Sequence, residues 1–250
     1  MINIFLTIFI GDMAYLTNYL KSTILSKVVM AVTGVMLVLY IVIHTAGNLL
    51  IYLGSDTINT YSQFLHSLGP LLWVIRVILF LALVFHIITS VYLKLHNLNA
   101  KPDKYAVKNY MKAKLTSRTM IWTGIMIFSF VVYHVMHFTM HITNPEHVKP
   151  ETYSMPHSVN EVLLQRTDVY SMVVAGFQNP FISIVYIIGV IIVGFHLNHA
   201  IQSMFQTLGF NQKHYFSAIE KSSTVLSLII VLCLISIPIT ILLGLVGGKL

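Results

Sequence analysis

Four histidines stand deep inside four different apolar stretches of this chain: His44, His86, His134 and His196. An ionisable side chain within a membrane span is expensive and usually functional. Twelve histidines in 250 residues are too many for an inert apolar bundle. Their depths form a pattern. His44 follows Lys27 by 17 residues and His134 follows Arg118 by 16, on stretches that run one way; His86 follows Pro70 by 16 and His196 follows Pro180 by 16, on stretches that run back. At about 1.5 Å rise per residue, each sits about 24–26 Å past its helix start. His44 and His134 therefore share an outer level, and His86 and His196 an inner one. Two pairs at two depths suit two metal centres stacked across a bilayer. Imidazole is a good ligand for haem iron, and ligation at both axial positions gives a centre that passes electrons and does not bind oxygen. Four histidines from four antiparallel helices thus predict two bis-histidine haem b groups inside a bundle. Zinc would want further His, Cys or carboxylate ligands, and no Asp or Glu falls within the apolar stretches.

Several other residues bear on that chemistry. Thr33-Gly34 precedes His44, and Thr123-Gly124 precedes His134, by the same ten residues counted from the glycine. Ten residues is nearly three turns, so glycine and histidine face one side of their helix. There Gly34 and Gly124 either let a porphyrin edge lie against the backbone or serve helix packing. Arg76 is the only cation in mid-span, ten residues outward from His86. It is placed to meet a haem propionate or to snorkel to the headgroups. Arg118, with Ser117, is placed for the propionates of the other haem, or belongs to the signal that orients the chain. Rival ligands exist by spacing: His137 and His141 share the face of His134, and His199 that of His196. His96, His147, His157 and His214 lie at ends or in loops and read as solvated. His66, with Tyr61 and Gln63, reads as a loop histidine at the outer interface, with contact to a quinone headgroup as the alternative.

The elements that position these residues are five spans. The chain is 56% hydrophobic and 9% charged, against about 25% charged in a soluble domain, and a span needs about 20 apolar residues. The fold class is all-α: an integral membrane bundle with helices over about 24–53, 70–96, 118–142, 179–208 and 224–245, the last kinked at Pro238. Gly69-Pro70 is a favourable helix start. The polar segment 143–178 holds Pro145, Pro150 and Pro156, and its DVYSMVVAGF end is expected to lie flat as a short interfacial helix. GFNQKHYFSAIEKSS reads as a loop. Residues 1–20 form an N-terminal extension to the single domain 21–250; translation is expected to begin at Met13, leaving 1–12 as a frayed addition. The lone Cys233 excludes a disulfide and reads as a buried structural thiol.

The net charge of +7 does not point to nucleic acid, because the cations cluster in short loops beside apolar segments. With the N-terminus inside, 11 of the 15 Lys and Arg fall on inner segments: Lys21, Lys27, Lys94, Lys101, Lys104, Lys108, Lys112, Lys114, Arg118, Lys213 and Lys221. The positive-inside rule then places the N-terminus in the cytoplasm and the C-terminus outside.

This pattern resembles the dihaem cytochrome b membrane-anchor subunit of bacterial succinate dehydrogenases and fumarate reductases, in its single-anchor, five-helix form. The resemblance covers about residues 20–245. It rests on TG-x9-H in the first span, VFHIITSVYLK in the second, SRTMIWTGIMIFSFVVYHVMHF with its second TG-x9-H in the third, and FHLNHAIQSMFQTLGF in the fourth. In that family a ligand lies 13 residues before the glycine ending its helix, as His196 does before Gly209. This favours His196 over His199, and the TG spacing favours His134 over His137. The resemblance implies that His44 and His134 hold the distal haem and that His86 and His196 hold the proximal one. It implies a non-catalytic, electron-transferring and quinone-reactive subunit of a succinate:quinone oxidoreductase, at work in the respiratory chain and the tricarboxylic acid cycle. FAD and iron–sulfur clusters reside in its partners, a flavoprotein and an iron–sulfur subunit. Menaquinone is the expected quinone, and the bacterial cytoplasmic membrane the expected location. The basic faces 94–118 and 211–221 are the implied dock for the iron–sulfur subunit. Some fumarate-reducing members carry a glutamate two residues before the fourth-span ligand; Gly194 stands there, which favours succinate oxidation. The alternatives are the dihaem subunit of a hydrogenase or formate dehydrogenase, disfavoured by the second TG-x9-H, and a non-redox His-rich transporter.

Overall fold

The computed structural model describes residues 22–100, 115–154, 163–210 and 212–248; the side chains of 115–118, 153–154, 163–165 and 213 lie outside the description. The N-terminal extension 1–20, with Met13, and most of the basic segment 97–117 therefore fall outside it, as does His157.

The helices are α1 (Thr23–Leu49, prolonged by a 3-10 turn over Leu50–Leu53), α2 (Ser55–Ser67), α3 (Pro70–Asn99), α4 (Leu115–Phe138), α5 (Val169–Gln178), α6 (Pro180–Thr207) and α7 (Lys213–Leu242). Between α4 and α5 lies an antiparallel hairpin of β1 (Pro150–Ser154) and β2 (Leu163–Thr167), with Pro150 opposite Thr167 and Ser154 opposite Leu163. Five of the helices, α1, α3, α4, α6 and α7, are long and apolar enough to cross a membrane. Their outward faces carry large apolar side chains, among them Leu39, Ile43, Trp73, Phe80 and Trp122. Patches of that extent are stable against lipid and not against water. The chain is an all-α, multi-pass bundle of the membrane type.

Local chemistry sets the helix starts. Gly69 has φ +54°, a conformation open to glycine, and turns the chain into α3, whose first residue is Pro70; proline there sacrifices no helical hydrogen bond. Asn179 caps α6, its Oδ1 accepting from the amides of Phe181 (3.0 Å) and Ile182 (3.4 Å). Within the bundle α1 packs against α3, α6 and α7, and α6 against α7, α4 and α1, while α3 and α4 barely touch. Helices α1 and α6 thus form the spine, and α3 and α4 flank it.

The structure departs from the sequence expectations at the ends of the spans. Residues 55–67 form α2, so His66 lies in its last turn, exposed, and not in a loop. Helix α4 stops at Phe138 because Met140 and Ile142 turn back to cap the carbonyls of Val135 and Met136 at 2.8 Å each; apolar Met140 and Ile142 disguise that stop in the sequence. Helix α7 begins 11 residues earlier than expected, since HYFSAIEKSS contains no glycine or proline to interrupt it. DVYSMVVAGF is helical, as expected. Met172, Val173, Val174 and Phe177 are buried, the last three clustered with Ile51, Ile58, Ile237 and Ile241.

Helix α2, the hairpin and α5 cap the end of the bundle at which α1 and α4 finish and α6 begins. A polar clasp joins them. Asn59, 1% exposed, donates both Nδ2 protons, to Glu151 Oε2 (2.7 Å) and Asp168 Oδ1 (2.9 Å), and its Oδ1 accepts from the Tyr170 amide at 2.9 Å. Arg166 donates to Glu151 Oε2 (2.9 Å), Asp56 Oδ1 (2.8 Å) and Thr60 Oγ1 (3.0 Å). Burial works against the Arg166 charge, yet the Asp56 and Glu151 carboxylates hold its guanidinium above the ordinary value. Burial likewise opposes the Asp168 charge, but hydrogen bonds from Ser171 and Asn59 outweigh it and hold the carboxyl below the usual carboxylate range.

Replacing Asn59 by Ala leaves two carboxylates short of a donor and is expected to weaken the clasp by about 1–3 kcal/mol. Hydrogen exchange should speed up in β1, β2 and α2 while the spans keep their protection; unchanged exchange in the hairpin would refute the clasp. A depressed carboxyl contributes stability above its unfolded pKa, about 3.9 for Asp. The Asp168 share should therefore be intact above about pH 4 and vanish as the pH falls further, through the lower folded value.

Candidate functional site

The fold brings two of the four deep histidines into ring contact and sets each of the other two against a threonine of a neighbouring helix. His44 on α1 and His134 on α4 meet with ring centroids 5.7 Å apart and planes at 89°. His86 lies on α3 and His196 on α6. Each of the latter is held by a threonine from a neighbouring helix. Thr33 Oγ1 of α1 lies 3.2 Å from His86 Nδ1, and Thr123 Oγ1 of α4 lies 3.1 Å from His196 Nδ1. Thr33 and His44 are both on α1, eleven residues apart, which separates the two levels by about 16 Å along the axis.

The glycines share this arrangement. A Cβ on Gly34 would sit 3.6 Å from His86 Cε1, and one on Gly124 would sit 3.8 Å from His196 Cε1. Each Thr-Gly doublet therefore lies against the inner imidazole of the next helix, ten residues below the histidine of its own. The α1/α3 contact and the α4/α6 contact are two copies of one local structure. The sequence displayed the repeated doublet and its interval; the partner ring across the helix interface had no sequence signal.

The outer pair has different surroundings. His44 stacks on Tyr40 at 5.4 Å. His134 is ringed by Phe138 (5.9 Å), Phe130 (6.2 Å) and Tyr186 (5.8 Å). Among the described residues no hydrogen bond reaches a ring nitrogen of either.

The rival histidines separate by geometry. His137 is 1% exposed; its Nδ1 pairs with the Tyr186 hydroxyl at 3.0 Å and its Nε2 with His147 Nδ1 at 3.5 Å. Both ring nitrogens are engaged with protein. His141 lies beyond the end of α4 with φ +56°, so it does not share the face of His134, contrary to its spacing. His199 is half-buried one turn from His196. Arg76 stands at the outer level, its guanidinium 5.1 Å over the Trp73 ring and within electrostatic reach of Tyr40. Arg118 belongs to the first turns of α4, but its side chain and that of Ser117 lie outside the description. Tyr61, from α2, packs its ring on the α1 backbone at Gly47, where a Cβ would come within 2.8 Å of Tyr61 Cε1.

The spacing of the outer pair suits an iron between its rings. With metal–nitrogen bonds of about 2 Å on each side, two axial imidazoles have ring centres roughly 6 Å apart, close to the 5.7 Å between His44 and His134. Among the described residues no group of three or more His, Cys, Asp or Glu could hold a metal ion. An ion bound at either level would find two imidazoles and need its other ligands from elsewhere, as a porphyrin supplies them. Compared with known proteins, the chain matches no family model, no curated protein and no solved structure.

Gly194 is a packing position: a Cβ there would run into the Val231 side chain of α7, so no glutamate fits in this packing. Gly189 similarly receives the ring of Phe130, whose Cδ2 would lie 2.5 Å from an added Cβ. Gly194→Ala is expected to cost about 1–3 kcal/mol by overpacking, read as a lowered thermal midpoint in detergent. An unchanged midpoint would contradict the close α6–α7 approach.

Proposed function

We propose that this chain is the dihaem cytochrome b anchor of a bacterial succinate dehydrogenase or fumarate reductase, set in the cytoplasmic membrane. It passes electrons between an iron–sulfur partner subunit and membrane quinone, with menaquinone implied by the family resemblance. The observation that supports the reading is that four different spans of an apolar bundle each carry a deep imidazole, with His44 and His134 in ring contact and His86 and His196 each on a threonine. The repeated TG-x9-H and the FHLNHAIQSMFQTLGF segment support it independently of the geometry.

Haem supplies reversible one-electron carriage when bound. The chain does the rest. His44 and His134 would hold the outer iron, and His86 and His196 the inner one, each as a neutral imidazole. Phe130, Phe138 and Tyr186 exclude water from the outer pair. Arg76, at the same level, offers a guanidinium to a propionate. The basic segments 94–118 and 211–221 form the cytoplasmic dock for the iron–sulfur subunit, with the N-terminus on that side. An electron that crosses the bilayer here gains or loses about 2.3 kcal/mol per 100 mV of membrane potential, so the direction of flow is governed by the partners' potentials and by that field.

A visible spectrum of the purified complex is expected to show two haems b per chain, with the sharp reduced α and Soret bands of bis-histidine ligation. His44→Ala or His134→Ala should remove one haem, and His86→Ala or His196→Ala the other, whereas His137→Ala should leave both. A colourless protein, or two haems retained in an outer variant, would overturn the assignment. The chain contains no flavin- or cluster-binding motif, and by itself should not oxidise succinate. Turnover by this subunit alone would be equally decisive against the reading.

A further inference from the structure

Both inner imidazoles face a threonine whose own proton is already committed, and His86 has the Met30 carbonyl as a second acceptor. Thr33 Oγ1 lies 2.8 Å from the Val29 carbonyl and 3.1 Å from that of Met30. Thr123 Oγ1 lies 3.0 Å from the Met120 carbonyl and 3.3 Å from that of Thr119. A hydroxyl has one proton, and a helix carbonyl one turn back can only accept it. The threonine oxygen is left as an acceptor, so His86 and His196 must each donate from Nδ1. Both rings therefore carry their proton on Nδ1 and present a bare Nε2 lone pair. The same atoms meet at nearly the same distance in two separate helix pairs, 3.2 Å and 3.1 Å, which an incidental contact would not repeat.

A ligating histidine that donates its other N–H is fixed in rotation and made a stronger base at the ligating nitrogen. The hydroxyl that accepts is itself polarised by donating to the carbonyl, and a bundle interior of low dielectric strengthens the whole chain of bonds. A more basic nitrogen favours oxidised over reduced iron. His44 and His134 sit among aromatic rings, with no such hydrogen bond among the described residues. The two centres are thus built from the same ligands but differ in what stands behind them.

We propose that Thr33 and Thr123 are positioning residues for the inner centre alone: by accepting from Nδ1 of His86 and His196 they set the ring rotation and lower the reduction potential of the inner haem. This rests on the dihaem reading above. Gly34 and Gly124 complete the device, since each doublet places an acceptor on the ring nitrogen and a flat stretch of backbone beside Cε1.

The test is a potentiometric titration of the intact complex, followed in the α bands, with His44→Ala and His86→Ala identifying which signal belongs to which level. Thr33→Val and Thr123→Val keep the shape and remove the hydroxyl acceptor, leaving His86 only the Met30 carbonyl; Thr33→Ser and Thr123→Ser keep the hydroxyl. Each valine variant is expected to raise the inner midpoint, by about 59 mV for every tenfold loss of preference for oxidised iron, with the outer midpoint unmoved and serine restoring the original value. Loss of the inner haem alone in valine variants, with retention in serine variants, supports the same role. Unchanged midpoints in valine variants that keep both haems would overturn the proposal, as would equal shifts of both haems or serine behaving like valine. If the unsubstituted complex carries no haem, the dihaem reading fails; if it carries two that ignore both threonines, only the present proposal does.

Discussion

A polar ring placed inside a lipid-embedded bundle has no water to fall back on, so an imidazole buried there is costly unless it finds a partner within the protein. That requirement organises the interior. Thr33 and Thr123 answer it for His86 and His196, and Tyr186 and His147 answer it for His137. The contacts also lock the register of the spans. The apolar faces alone would permit helices to slide or rotate against one another with little penalty, because lipid is as apolar as a leucine. One residue of slippage turns a side chain by about 100° around the helix and would carry Thr33 away from His86.

The two ends of the bundle are built differently. At the end nearer His44 and His134, α2, the hairpin and α5 fold over the spans. They are tied by Asn59 and Arg166 to the carboxylates Asp56, Glu151 and Asp168. Beneath the clasp, Val174, Phe177 and Tyr186 make a dense apolar and aromatic layer with Ile51, Ile237 and Ile241, and Tyr186 reaches from that layer to both His134 and His137. The outer pair is thus roofed by protein, whereas toward the other end α6 and α7 meet around Leu197, Ile201 and Ile230. Close approach of α6 to its neighbours depends on Gly189 and Gly194, which admit Phe130 and Val231 where a methyl group would collide.

Much of the site was legible because depth along a helix is arithmetic. The rise per residue and the positions of Lys27, Pro70, Arg118 and Pro180 suffice to put His44 level with His134 and His86 level with His196. The rivals were not separable that way. His137 and His141 have acceptable spacing, and they are set apart by events remote in sequence: the Tyr186 hydroxyl on one, the backbone turn after Phe138 on the other. The hairpin and α2 were hidden for a related reason. The hairpin's polar, proline-containing sequence has no periodicity to read, α2 is short and polar, and the order of both comes from Asn59 and Arg166 joining segments about 90 to 110 positions apart in the chain.

The sequence by itself determined the number of spans, their apolar exteriors, the two levels of histidine and the recurrence of the Thr-Gly doublet, because hydropathy, helical rise and local spacing are properties of a single helix. Only the tertiary structure decided which rings meet, that the doublets serve the inner histidines of neighbouring helices, and that Gly194 has no room for a side chain. Those outcomes depend on the rotation and separation of one helix relative to another, set by glycine contacts and a few polar bonds between distant residues.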